Sequence, residues 1–122
     1  DNRTCGIRVP KSGPEARRVE NRVPGVDVNP YLAMAATLAC GYLGMRDKLR
    51  PSEPTTDSAW NVHHELPRHL EDAIEAMRAC DAMREVLDTG FVDAFCAVKE
   101  LEYATYNRVI SSWEREHLLL LV

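Results

Sequence analysis

From Pro30 to about Arg46 the chain carries almost nothing polar, and that run constrains the fold more than any other feature. Leu32, Ala33, Met34, Ala35, Ala36, Leu38, Ala39, Cys40 and Leu43 put apolar or small side chains on every side of one predicted helix. A helix without a polar face needs neighbours all round. Asn29 is a good N-cap, and Pro30 suits the first helical position, where its missing N–H is no loss. The repeated Ala, with Gly41, lets another element come close. A chain of 122 residues that is 45% hydrophobic has material for one modest core. Partners for every face of this helix are therefore expected from a larger protein. The dense, motif-bearing segment that begins at Asp1 rather than at a Met points the same way.

Ahead of the helix lie two strand candidates, Gly6 to Pro10 and Arg17 to Pro24, joined by a loop punctuated by Gly13-Pro14. Behind it, residues 49–66 form an irregular segment with Pro51 and Pro54, and Trp60 is expected to anchor it to the body. A short amphipathic helix is predicted from about Arg68 to Arg78, with Leu70, Ile74 and Met77 on one face. Asp81 is the candidate N-cap of another, running through Leu87 and closed by Thr89-Gly90. A long helix from about Phe91 to Ile110 keeps Phe91, Phe95, Val98 and Leu101 in register, with Tyr103 and Tyr106 half-buried. Ser111 and Glu114 fit a capping box for a last short turn leading to an apolar tail, Leu118–Val122, expected to pack on something. The fold class is therefore α+β, mainly α: a β-hairpin followed by about four helices.

The second strand carries Arg18, Glu20 and Arg22 in alternation. Residues two apart in a strand share a face, so two guanidiniums flank one carboxylate while Arg17, Val19 and Asn21 turn the other way. Arg offers planar, bidentate donors to phosphate or carboxylate, and Glu is a hard oxygen ligand for a divalent cation. Such a row suits an anionic ligand held beside a metal. It equally fits a solvated edge strand with an ion-pair ladder.

Charge separates along the chain. Residues 1–25 hold six Lys or Arg against three acids, and the remainder holds nine against sixteen, within a net charge of −4. A basic hairpin on an acidic helical body favours a local anion site over a nucleic-acid surface, and the first thirty residues offer no aromatics for base stacking. No signal-peptide core and no membrane-spanning apolar stretch is present, so neither secretion nor membrane association is expected. Cys5, Cys40, Cys80 and Cys96 form no C-x-x-C pair and read as buried, reduced thiols of a cytoplasmic protein. His63-His64-Glu65 are adjacent on an irregular segment and lack the i, i+4 convergence of helical metal ligands, so they read as surface hydrogen-bonding groups.

Four pieces in register carry a family resemblance: Asn2-Arg3-Thr4, Ile7-Arg8-Val9-Pro10, Arg18-Val19-Glu20-Asn21-Arg22 and Asn29-Pro30-Tyr31. Over Asn2 to about Gly44 this run resembles the C-terminal part of the glutamine synthetase catalytic domain, with similar order and spacing. The resemblance implies that residues 1–122 are such a segment, with 1–25 as an active-site β-hairpin and 29–122 as its helical part. It implies an ATP-dependent ligase that forms glutamine from glutamate and ammonia through γ-glutamyl phosphate, with Mg²⁺ or Mn²⁺. By position it makes Arg3 the catalytic arginine, in contact with glutamate, ATP and the transferred phosphoryl group. Arg22 then binds glutamate, Arg8 and Arg18 bind ATP, and Glu20 is the metal ligand. Its implied partners are the remainder of the same enzyme and identical subunits in a double-ringed homo-oligomer, with active sites between neighbours.

The sequence departs from some bacterial members in having Glu15 where they have Lys. The family's Glu-x-Glu metal strand, metal-binding His, ammonium-site Asp and active-site flap would all lie upstream. The isolated chain is accordingly expected to be inactive, since one carboxylate is too few oxygens for a divalent cation. Two alternatives stand beside this reading. One is a γ-glutamylpolyamine synthetase using an amine acceptor, which residues 109–118 resemble in bacterial members. The other is a non-catalytic helical module whose basic hairpin binds an acidic partner.

Overall fold

The computed structural model describes residues 2–61 and 66–119. It divides into two compact units, one within the first 65 residues and one from Leu66 onward. The His63-His64-Glu65 cluster and the end of the apolar tail, residues 120–122, lie outside the described residues.

In the first unit, β1 (Ile7–Arg8) pairs antiparallel with β2 (Glu20–Asn21), with Ile7 opposite Asn21 and Arg8 opposite Glu20. Both strands are shorter than their sequence runs. Pro10, Pro14 and Pro24 bound them and have no N–H to give a ladder, and Pro14–Ala16 winds into a 3-10 turn within the loop. Pairing extends one step further, because the Arg22 N–H donates to the Gly6 carbonyl at 2.7 Å. The approach at that step is close: a Cβ on Gly6 would lie 2.9 Å from Val23 Cγ2, so the Val23 side chain would have to shift.

Helix α1 (Pro30–Arg46) has the predicted bounds. Asn29 Oδ1 accepts from the N–H groups of Tyr31 at 3.0 Å and Leu32 at 3.3 Å, which fixes its start. The helix is apolar around its circumference, yet only Ala39 and Leu43 are buried among its described residues. Tyr31, Met34, Leu38, Tyr42 and Met45 stand exposed.

Trp60, on a short 3-10 turn (Ala59–Asn61), is 74% exposed and is no anchor among the described residues. Polar bonds hold that segment instead. Asn2 Nδ2 donates to the carbonyls of Thr55 and Asp57, and the Ala59 N–H donates to Thr4 Oγ1 at 2.7 Å.

The second unit consists of α2 (Leu70–Ala79), α3 (Asp81–Leu87), α4 (Thr89–Tyr106) and α5 (Ser112–His117). Its core is Ile74, Val92 and Cys96, with Met77 and Leu87 packed against them. The buried stripe of α4 is thus Val92/Cys96, one position on from Phe91 and Phe95 of the expected stripe; Phe95 is partly covered, whereas Phe91, Val98 and Leu101 are exposed. Two apolar stripes compete on this helix, and the smaller side chains take the close contact with α2. Tyr106 is likewise exposed, while Tyr103 is partly covered.

Asp81 opens α3 as its first residue rather than its cap, and Thr89-Gly90 open α4 rather than close α3. Asp88 makes that junction with φ 75°, its Oδ1 accepting from the N–H groups of Gly90 and Phe91. The capping box at α5 is present: Ser111 Oγ accepts from the Glu114 N–H, and Glu114 Oε2 from the Ser111 N–H. All four cysteines are free, but only Cys96 is buried; Cys40 lies exposed on α1, and Cys5 and Cys80 are partly covered. Among the described residues, no helix is long and apolar enough to cross a membrane.

Candidate active site

The hairpin register decides which charges meet. Because Arg8 stands directly across from Glu20, its Nε reaches Glu20 Oε2 at 2.7 Å. Arg18, two residues before Glu20 on the same face, places Nε and one terminal nitrogen each 3.0 Å from Oε1. Its other terminal nitrogen donates to the Ala16 carbonyl at 3.3 Å, tying the guanidinium to the 3-10 turn. Both carboxylate oxygens of Glu20 are therefore engaged, each by a different arginine. Glu20 and Arg8 are three-quarters covered, with 26% of each side chain exposed.

The electrostatics follow from this geometry. The hydrogen bond from Arg8, chiefly, holds the Glu20 carboxyl below its usual range; burial opposes it, and the charge of Arg8 and then the bond and charge of Arg18 add smaller lowering effects. The same bond raises Arg8 further above the ordinary arginine value. Glu20 is an anion at any physiological pH.

The opposite face of β2 is used for attachment. Asn21 Nδ2 donates to Thr37 Oγ1 on α1 at 3.0 Å, and that hydroxyl donates to the Ala33 carbonyl at 2.7 Å. Asn21 Oδ1 also accepts from the Val23 N–H. The alternation seen in the sequence thus becomes a division of labour: one face is tied to α1 and the other carries Glu20 and its arginines.

Arg3 sits between two fixed neighbours. Asn2 Oδ1 accepts from the Thr4 N–H at 3.0 Å and from Thr4 Oγ1 at 2.6 Å, an Asx-type turn. Asn2 and Thr4 are in turn bonded to residues 55–59, as described above. This clamp leaves the Arg3 side chain exposed, and neither the Arg3 nor the Arg22 side chain has a hydrogen bond or ion pair among the described residues. The cations that touch Glu20 are thus Arg8 and Arg18; Arg22 shares the strand without contacting it. Sequence reasoning missed the positioning roles of Asn2, Thr4, Asn21 and Thr37. The Asn-x-Thr spacing of residues 2–4 was the available signal for the first two.

The donor set can be tested against the divalent cation that the resemblance implies. Glu20 is a hard, ionised oxygen donor beside phosphate-type donors, which suits a cation bound together with a phosphate group. No cluster of three or more His, Cys, Asp or Glu able to hold a metal occurs among the described residues. The residues here therefore fit one ligand of a shared ion, not a complete cage. A shallow cleft of about 540 Å³ lies elsewhere, in the second unit, lined by Glu71, Asp72, Glu75, Arg78, Glu100 and Tyr103. An Arg78–Glu100 ion pair of 2.8 Å occupies part of that lining, and none of the site residues expected from the sequence lines it.

Comparison with known proteins bears on the same segment. The family model described as glutamine synthetase, catalytic domain, matches residues 1–118. A glutamate–isopropylamine ligase from a Pseudomonas species is 38% identical, over 93% of this chain and 26% of its own length. Type-1 glutamine synthetase 2 of Dictyostelium discoideum is 34% identical, over 100% of this chain and 24% of its own. The glutamine synthetase of Methanosarcina mazei is 31% identical, over 97% and 28%. The chain spans about a quarter of the length of these curated relatives.

Proposed function

The chain belongs to the glutamine synthetase catalytic-domain family, and from that membership we propose that it is the arginine-rich part of the active site of an ATP-dependent glutamate–ammonia ligase. The observation that carries the reading is Glu20 held between Arg8 and Arg18, with the guanidiniums of Arg3 and Arg22 unengaged among the described residues of the same segment. Phosphorylating a carboxylate with ATP brings several anionic groups together, and fixed cations offset their repulsion. In this reading Arg8 and Arg18 hold ATP phosphates, Arg22 holds the glutamate substrate, and Arg3 contacts both glutamate and the phosphoryl group in transfer. Glu20 gives one oxygen to Mg²⁺ or Mn²⁺, which neutralises phosphate charge; the other oxygens come from phosphate and from residues outside this chain. The remainder of the enzyme and identical neighbouring subunits of a ring complete the site. Free cysteines support a cytoplasmic location.

Glu20→Ala in the complete protein tests this. Metal-dependent formation of γ-glutamyl hydroxamate from glutamate, hydroxylamine and ATP should fall at least a hundredfold. A change of less than twofold would remove Glu20 from the machinery and favour a hairpin that merely binds an acidic partner.

A second reading concerns the acceptor alone, and the 38% identity to a glutamate–isopropylamine ligase favours it. An alkylamine then takes the place of ammonia while the hairpin's work is unchanged. ADP release with ammonium against isopropylamine as acceptor separates the two.

A further inference from the structure

Guanidiniums recognise carboxylate and phosphate by the same planar donor geometry. Glu20 therefore occupies, on Arg8 Nε and on the Arg18 fork, the donors that a phosphate group would need. We infer that Glu20 is an internal competitor for the phosphate site: in the resting hairpin it neutralises Arg8 and Arg18, and phosphate gains full access to them only when Glu20 turns to a divalent cation. This rests on the reading just proposed and adds an order of dependence to it.

Three features single out Glu20. It is contacted from two directions, by Arg8 across the ladder and by Arg18 along the strand, so the pairing is intramolecular on both sides. Glu15, the other carboxylate of the hairpin among the described residues, is exposed and makes no ion pair there. Arg18 also has a bond to the Ala16 carbonyl that does not depend on the carboxylate. An anion arriving alone has to displace a carboxylate that is already seated. A cation and an anion arriving together exchange partners with the triad instead. Each then strengthens the binding of the other by the same factor, as linkage requires.

The test uses the complete protein, freed of metal with EDTA, and inorganic pyrophosphate as the probe in titration calorimetry, with circular dichroism as the folding control. Glu20→Gln should bind pyrophosphate about tenfold more tightly than wild type in EDTA, the size expected for removing one charge a few Å from the anion. Its enhancement by magnesium should shrink correspondingly. Glu20→Asp keeps the charge on a shorter arm and should fall between the two, which preserves the test should Glu20→Gln fail to fold. Metal-free affinities in both variants equal to or weaker than wild type would overturn the competition. If hydroxamate formation were lost in those same variants, the ligase reading would survive that result. Wild type that bound no pyrophosphate with or without magnesium would overturn both.

Discussion

Single residues do their work here by holding others in place. Asn2 accepts twice from Thr4 and donates to two carbonyls of the 55–57 segment. Asn2→Ala removes the four Asn2 side-chain bonds of the clamp and leaves only the Ala59 N–H bond to Thr4 Oγ1, at about 1 kcal/mol for each well-formed bond lost. Faster amide exchange at Thr4 and Ala59, with a rise in the glutamate KM of the complete protein through a loosened Arg3, is the expected outcome. Hydrogen-exchange mass spectrometry and steady-state kinetics check it. Asp88 is the second such residue. At φ 75° its backbone sits where L side chains rarely go, yet its carboxylate caps α4 through Gly90 and Phe91. Asp88→Asn keeps the capping oxygen and leaves the backbone strain unchanged, and should stay within about 0.5 kcal/mol of wild type. Asp88→Ala loses the cap and keeps the strain, so a destabilisation of about 1–2 kcal/mol is expected in urea unfolding.

At the scale of elements, what was legible was what is decided locally. The start of α1 could be read because Asn29-Pro30 is a cap and a first-turn residue in sequence. The box at α5 could be read because Ser111 and Glu114 satisfy each other. The strands came out shorter than the predicted runs, whose bounding prolines have no N–H to give a ladder. The buried stripe of α4 was off by one because periodicity ranks hydrophobicity, whereas the contact with α2 selects size. Ion pairs between helices were not legible at all, since partners nine or twenty-two residues apart meet only after folding. Arg84 grips Asp93 with two nitrogens, at 2.7 and 3.3 Å, linking α3 to α4. That bond holds the Asp93 carboxyl below its ordinary 3.8. A carboxyl depressed by folding contributes stability that is present above its unfolded value and is lost as pH falls through the folded one. The second unit should therefore weaken below about pH 4. Asp93→Asn should flatten that part of the curve, as followed by helical circular dichroism between pH 5 and 2.

For the molecule as a whole, the chemistry on the hairpin and the surface of α1 lead to one expectation. The sequence already placed Arg18 and Glu20 on a common face, because alternation is intrinsic to a strand. That Arg8 rather than Arg22 would close on Glu20 depended on the cross-strand register, which three prolines and a 3-10 turn set. The resulting cluster sets one carboxylate between two guanidiniums, and no group of three or more His, Cys, Asp or Glu able to hold a metal occurs among the described residues, whereas a divalent ion needs several oxygens. The hairpin ladder is two residues long on each side, with both outer edges open to pairing. On α1, Tyr31, Met34, Leu38, Tyr42 and Met45 recur every three or four residues as an exposed apolar stripe. Residues 1–122 expressed alone should therefore form no γ-glutamyl hydroxamate with glutamate, hydroxylamine, ATP and magnesium. They should also bind a hydrophobic dye strongly and self-associate with rising concentration, as light scattering would record. Measurable turnover by that polypeptide would mean that its own residues complete a metal site. A monodisperse, dye-silent monomer would mean that the apolar stripe of α1 finds cover within the chain itself.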